Sequence, residues 1–456
     1  MNPTTTRVEI PEAKGLSEEM GERLAEFIQP WLDELDERID LRLVRTFAEA
    51  LVAVLRQRHG AASLVLTELA ELMTDGAHTP AGVKRLWNLL HCPKWQAEQV
   101  DTWLVDQAEA AVARAEAHDG VALVALDDSE VEKPEARALD GLSKVVSAKA
   151  RRLQRAGGAP PPKVPTLVPG FGWVAVVVTG LAGSFTLARM HWFSPRLAEG
   201  AERQREAEQT TILPFLLLWG PRVIWLVDRG FASAPFLGQT LARARFCARW
   251  RSDHALRDLA GGQVALAGQL TKRVRSQSTA QIWDPWTRQT RTVGIASLKV
   301  SLPDDDRPLW LVVARRKGKS QALWLLTTED AATQKGALLV VRAYTRRWQV
   351  EWAFRFQKSE LGVGGVRVVS WTYREKLWRL AELAHTFLLS LLVRLDPNTK
   401  ERLFRWCHRT GQRARDALAP LSRLRRALAN VWEAHPPPCA ATPRPSSLPI
   451  ARLFAS

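Results

Sequence analysis

Apolar residues recur at three- and four-residue spacing through residues 15–118, as in Phe47, Leu51 and Leu55 and again in Leu64, Leu66, Leu69 and Leu72. That period predicts amphipathic helices. Gly60 to Leu64 and Asp75 to Pro80 interrupt it as helix junctions, and Thr79-Pro80 places a proline in the first turn of the next helix. The pattern then changes. Val121 to Leu126 is a short apolar run ending in Asp127-Asp128-Ser129, and Val223 to Val227 is another ending in Asp228-Arg229-Gly230. Short apolar runs closed by polar or glycine residues read as buried strands, the first over 121–127. Between them, 132–169 reads as a basic loop, 172–179 and 184–192 as a hairpin turning at Gly180 to Gly183, and 196–218 as a helix. A helix over 234–243 and a strand over 245–250 follow. Further β-like runs occupy 290–295, 298–301, 309–313 and 322–327, and an apolar helix covers 374–394.

The segment from Tyr344 to Lys358 adds chemistry to this pattern. On an ideal helix Tyr344, Arg347, Glu351 and Lys358 fall at about 0°, 300°, 340° and 320°. One phenol, two cations and a carboxylate then share a stripe roughly 60° wide. As an isolated feature this is equally a solvated face with an i,i+4 pair of Arg347 and Glu351. A lone carboxylate between cations also suits a divalent metal beside bound phosphate.

Asp127 and Asp228 weigh in favour of the second reading. Each ends a predicted buried strand, where sites form in α/β sheets, although aspartate is also a common turn starter. Two strand-end aspartates and one helix glutamate, if they converge, can hold two divalent ions about 3.5–4 Å apart, the arrangement that serves phosphodiester chemistry. Asp128 competes with Asp127, because strand alternation turns only one of them toward the site.

Asp127-x-Ser129, Val227-Asp228-Arg-Gly-Phe231 and Tyr344-x2-Arg347-x3-Glu351-x6-Lys358 resemble the three signature regions of the DDE transposases of bacterial insertion sequences. The last spacing is the specific one and is matched without a gap. The likeness covers roughly residues 120–395, with a vaguer likeness in the helical region before it. It implies Asp127, Asp228 and Glu351 as catalytic ligands of two Mg²⁺ ions, with Mn²⁺ as a substitute. Tyr344, Arg347 and Lys358 are then DNA-binding residues at the cleaved end. Asp127 is favoured over Asp128 because it keeps the Asp-x-Ser spacing. The resemblance also implies an α/β fold: a ribonuclease-H-like core interrupted by a β-rich insertion, with a helical N-terminal domain and a helical C-terminal region. Partners would be the element's terminal repeats and target DNA, handled by a homodimer. Alternatives are a ribonuclease-H-like endonuclease without strand transfer and a non-catalytic regulator derived from a transposase.

Charge agrees with a polyanionic partner: 64 Lys and Arg against 48 Asp and Glu give a net charge of +16. A generally basic proteome would produce the same excess. Cys92, Cys247, Cys407 and Cys439 form no Cys-x2-Cys pair, so neither a zinc ribbon nor a disulfide framework is indicated. The polar N-terminus and the absence of a run near the about 20 apolar residues of a membrane span predict an intracellular, cytoplasmic protein without membrane attachment. No phosphate-binding Gly-x4-Gly-Lys motif is present.

The domain reading is 1–118 helical and DNA-binding, 119–253 the first part of the core, 254–335 the β-rich insertion, and 336–395 the second part of the core. Residues 396–435 form a basic helical region and 436–456 a disordered tail. Lys84, Arg85 and Lys94 suit a helix-turn-helix-like reader or a helical cap that only packs. Trp283 and Trp286, beside Arg288 and Arg291, pack a small β core or stack on an unpaired base. Lys144, Lys149, Arg151, Arg152 and Arg155 make either a DNA-contacting loop or a solvated linker. Eight arginines between Arg402 and Arg426 suggest helices facing phosphates or another subunit.

Overall fold

A computed structural model describes residues 10–57, 63–156, 164–272, 274–284, 289–316, 322–407 and 420–437. Five helices come first: α1 (Ile10–Asp36), α2 (Leu41–Arg56), α3 (Leu66–Met73), α4 (Thr79–His91) and α5 (Ala97–Asp119). Asp40 caps α2 by accepting from the Arg42 N–H at 2.8 Å. Gly120, at φ 70°, ends α5 in the left-handed region that favours glycine.

The centre of the molecule is a twelve-stranded mixed sheet. Its strands are β1 (Ala122–Glu132), β2 (Ser143–Val146), β3 (Leu167–Thr179), β4 (Phe185–Phe193), β5 (Val223–Val227), β6 (Arg245–Trp250), β7 (Ala255–Asp258), β8 (Val264–Leu266), β9 (Ser278–Asp284), β10 (Gln289–Leu302), β11 (Asp305–Arg316) and β12 (Ala322–Thr327). The spatial order is β2-β3-β1-β5-β6-β12-β11-β10-β7-β8, with β4 also on β3 and β9 on β10. β1 runs antiparallel to β3 and parallel to β5, and β5 is parallel to β6. Helices α6 (Ala148–Ala156), α7 (Gln204–Trp219) and α8 (Ala267–Thr271) interrupt the strands. After β12 come α9 (Gln334–Thr345), α10 (Trp348–Ser359), α11 (Trp371–Arg394), α12 (Pro397–Arg405) and α13 (Pro420–Ala434).

Alternation along β1 and β5 explains why their runs are apolar throughout. Leu123, Ala125, Ile224 and Leu226 face one apolar layer, shared with α2, α10 and α11. Ala122, Val124, Val223, Trp225 and Val227 face the other, shared with α5 and α7. Strands covered on both faces need no polar alternation.

Several expectations are corrected here. β1 continues to Glu132, beyond the expected end at 127. The supposed basic loop at 132–169 contains β2 and α6, because β2 pairs with the start of β3 and Glu132 receives the N–H groups of Ala148 and Lys149. The helix expected at 196–218 begins at Gln204, and 234–243 holds only one wide turn, Phe236–Thr240. The β-rich segment continues the central sheet, since β12 pairs with β6 along Trp324–Thr327. Arg425 does not face phosphate: it is fully buried and binds Glu360 at 3.3 Å and the Gln57 carbonyl at 2.6 Å. Arg402 and Arg405 pair with Glu12 and Glu401. Arg409, Arg413, Arg415, Trp286, Arg288 and residues 438–456 lie outside the described residues. Cys92, Cys247 and Cys407 are free thiols, and among the described residues no helix is long and apolar enough to cross a membrane.

Candidate active site

The register of β1 on β5 builds the site. Leu126 pairs with Val227, so Asp127 and Asp228 each follow one residue later on adjacent parallel strands. Strands in a sheet lie about 4.8 Å apart, which puts the two aspartates side by side. Alternation also selects between the two aspartates at residues 127 and 128. Asp127 follows Leu123 and Ala125 onto the face covered by α10. Asp128 points to the opposite face, where Arg205 and Gln204 of α7 are its neighbours. Asp127 is therefore the member of the pair that joins Asp228 and Glu351.

Arg347 stands at the centre of the carboxylates. Its side chain is only 2 % exposed; Nη1 donates to Asp127 Oδ2 at 2.8 Å and Nη2 to Glu351 Oε1 at 2.6 Å. The Tyr344 hydroxyl donates to Asp228 Oδ1 at 3.1 Å, and Arg249 on β6 lies 3.7 Å from the same oxygen. Lys358 donates to Ser129 Oγ at 2.8 Å and lies over the Trp173 ring. All six candidate residues thus converge, although Lys358 sits at the Ser129 end, away from Arg347.

The helix that carries them is not continuous. α9 ends at Thr345 and α10 starts at Trp348. Between them, the N–H groups of Arg346 and Arg347 bond three residues back, to Ala343 and Tyr344. Such i→i+3 bonds tighten the chain locally into a 3₁₀ turn. The reason is visible in the side chains: Arg346 reaches the β3–β4 turn, donating to the Gly180 carbonyl and Thr179 Oγ1 at 2.9 Å each, while Arg347 turns toward Asp127.

Burial and mutual repulsion set the protonation of the cluster. Burial pushes the Asp127 carboxyl up to about 7; Arg347 opposes this, while Asp128, Asp228 and Glu351 reinforce it. Glu351 is also raised, chiefly by burial and against the pull of Arg347. At Asp228 burial acts upward too, but Arg347, the Arg229 N–H, Arg249 and Tyr344 outweigh it and hold the carboxyl low. Burial lowers the Lys358 ammonium to about 8, opposed by Glu130, Glu132 and Asp128. The side chain is exposed overall, and its ammonium is held by Ser129.

The donor set is chemically right for Mg²⁺: three carboxylates and no soft ligand. In this structure Arg347 binds two of the three. Among the described residues no group of three or more His, Cys, Asp or Glu side chains is spaced to hold a metal ion.

Sequence reasoning missed Arg346, Arg249 and Arg205. Arg205 ties the start of α7 to Glu208 at 2.6 Å and to the Gly230 carbonyl at 2.7 Å, fixing the loop after Asp228. No local pattern marks these arginines, since their partners are 21 or more residues away except for Glu208. Elsewhere, Lys84 and Lys94 are exposed as a reader requires, whereas Arg85 is paired with Glu49. Trp283 is half exposed. Compared with known proteins, the chain matches no family model and no curated protein.

Proposed function

We propose that this protein is a DNA transposase that cleaves the ends of an insertion sequence and joins them to target DNA. The carrying observation is the convergence of Asp127, Asp228, Tyr344, Arg347, Glu351 and Lys358, drawn from three distant segments, at one end of β1 and β5. The strand order supports a ribonuclease-H-like core. Counted along the chain without β2, the strands lie as third, second, first, fourth, fifth, with the first parallel to the fourth and the fourth to the fifth.

Asp127, Asp228 and Glu351 would hold the divalent ions. Two such ions supply charge stabilisation for both the attacking and the leaving oxygen of a phosphodiester. The chain's own residues prepare that site. Arg347 first, then the Arg229 N–H, Arg249 and Tyr344, hold the Asp228 carboxyl low against its burial. Lys358 and Arg347 are the cations next to which a DNA phosphate would lie, and exposed Lys84 and Lys94 extend positive charge over the helical region.

A strand-transfer assay tests the proposal. It uses a labelled duplex carrying the flanking terminal repeat, a target plasmid, Mg²⁺ and an Asp228→Ala control. Joined product that disappears in the control supports the transposase. Nicking without joining favours an endonuclease, and binding without cleavage favours a regulator.

A further inference from the structure

One guanidinium bridges two of the three converging carboxylates. Arg347 spans Asp127 and Glu351 with its two terminal nitrogens, at 2.8 and 2.6 Å. The pocket does not satisfy it fully: Arg347 Nε is buried with no acceptor among the described residues. Its planar group is also within 5.8 Å of the Tyr344 ring centre and 5.3 Å of the Trp348 ring centre.

We infer that Arg347 is an exchangeable counter-cation, a positioning residue that closes the metal site and leaves Asp127 and Glu351 when divalent ions and a DNA phosphate arrive together. The inference rests on the metal-and-DNA reading of this site.

Three physical arguments carry it. First, a guanidinium seated between Asp127 and Glu351 and a divalent ion drawn to the same carboxylates are like charges at close range, so they repel each other and compete for one pool of negative charge. Second, Arg347 cannot simply be expelled. Its buried charge would lose its counter-anions, which is strongly unfavourable. Metal binding to the protein alone is therefore weakened by the cost of displacing Arg347. Third, a guanidinium matches phosphate as well as carboxylate, by the same two-pronged geometry. A DNA phosphate beside the site gives Arg347 a new anion and removes that cost. Metal and DNA then strengthen each other's binding, reciprocally. Arg347 is placed to move, because it lies in the short 3₁₀ turn between α9 and α10 and not within either helix. The protein would thus assemble a full metal site only on DNA.

Mn²⁺ binding to the full-length protein, followed by the loss of the free-ion paramagnetic signal, tests this without using activity. The probes are Mn²⁺ alone and Mn²⁺ with a short DNA duplex. The variants are Arg347→Ala, Arg347→Lys and Asp228→Asn. Without DNA, Arg347→Ala should bind Mn²⁺ more tightly than the wild type by about tenfold, within the usual range of coupling between sites. The same variant should melt at a lower temperature without metal. Opposite movements of stability and affinity separate this role from a merely structural one, which would lower both. Arg347→Lys, with one point charge and no fork, should show a smaller gain and keeps the test open if the alanine variant does not fold. The duplex should tighten Mn²⁺ binding in the wild type and do so much less in Arg347→Ala. Unchanged or weaker Mn²⁺ binding in both Arg347 variants, with binding still lost in Asp228→Asn, overturns the inference and leaves the metal site standing. Undiminished binding in Asp228→Asn overturns the metal reading itself.

Discussion

Glu351→Gln should separate the fold from the chemistry. In the folded protein Glu351 Oε1 accepts from Arg347 Nη2 at 2.6 Å, and its side chain is 37 % exposed. Glutamine keeps an oxygen at the same reach, so the hydrogen bond survives as a neutral one. A charge-assisted bond is roughly twice as strong as a neutral bond, so the loss is about 1 kcal/mol. Relief of repulsion offsets part of it, because Glu351 and Asp228 both press on Asp127 and Asp228 presses on Glu351. The net change in stability should stay within about 1 kcal/mol, or a shift of roughly 2–4 °C in Tm for a domain of 150–250 residues. Turnover should behave differently. If Glu351 anchors a divalent ion as proposed, its loss removes several kcal/mol of transition-state stabilisation. At about 1.4 kcal/mol per decade, that is a fall of about 10³ or more. The assay is single-turnover nicking of a labelled terminal-repeat duplex in Mg²⁺, run beside thermal melts of the same preparations. Nicking within tenfold of the wild type at an unchanged Tm would refute the placement of Glu351 in the reacting site. A collapse of Tm would refute the energetic argument, showing the Arg347 pair to be essential to folding.

Two further predictions concern the frame around the site. Arg379 is 4 % exposed and donates to both oxygens of Glu382, at 2.7 and 2.9 Å, to the Met190 carbonyl at 2.8 Å and to Asp101 at 3.0 Å. Arg379→Met strands two carboxylates where α5, α11 and β4 meet and should cost about 3–5 kcal/mol; a thermal or urea midpoint equivalent to less than 1 kcal/mol would contradict it. His385 is fully buried beside Gln357, and burial lowers its imidazole to about 3. Above about pH 6.5 neither the folded nor the unfolded state holds its proton, so His385 costs nothing there. As pH falls from 6.5 toward 3, only the unfolded chain takes up the proton, and stability drops by about 1.4 kcal/mol per unit. Urea unfolding at pH 7.5 and 5.5 should therefore show a larger acid loss in the wild type than in His385→Gln; equal losses would rule the account out.

Much of the site was legible because its signals are local. Two apolar runs each ending in aspartate, and a spacing of three, seven and fourteen from Tyr344, could be read directly from the chain. The choice of Asp127 over Asp128 needed only strand parity once the burial of Leu126 and Val124 was known. The role of Arg347 was not legible. A helical wheel gives a side chain its direction, not the partner it finds, and here the 3₁₀ turn at residues 346 and 347 alters even the direction. The basic composition of 144–155 hid β2 and α6, because their pairing partners are β3 and Glu132 and not sequence neighbours. Arg425 misled for a similar reason: an arginine among arginines reads as surface charge until Glu360 is found beneath it.

The 123-residue interval from Asp228 to Glu351 does not loosen the site, and the sheet explains why. The chain leaves β5 for β6, parallel beside it, with Val227 opposite Ala248. It returns on β12, antiparallel to β6, with Leu326 also opposite Ala248. Whatever the intervening strands do, β12 must come back next to the strand that carries Arg249, within 3.7 Å of Asp228. From Thr327 a short connection reaches α9, whose first turn is capped by the Thr333 hydroxyl accepting from the Gly336 N–H at 3.1 Å. A Cβ on Gly336 would lie 2.2 Å from the Asp330 carbonyl oxygen, so the helix can start this close to the strand only with glycine. α9 then delivers Tyr344 to Asp228; Arg347 follows in the next turn and reaches Asp127, and Glu351, a further turn on in α10, meets Arg347. Backbone pairing between β6 and β12 sets the geometry, so the length between them is free to vary without moving the carboxylates.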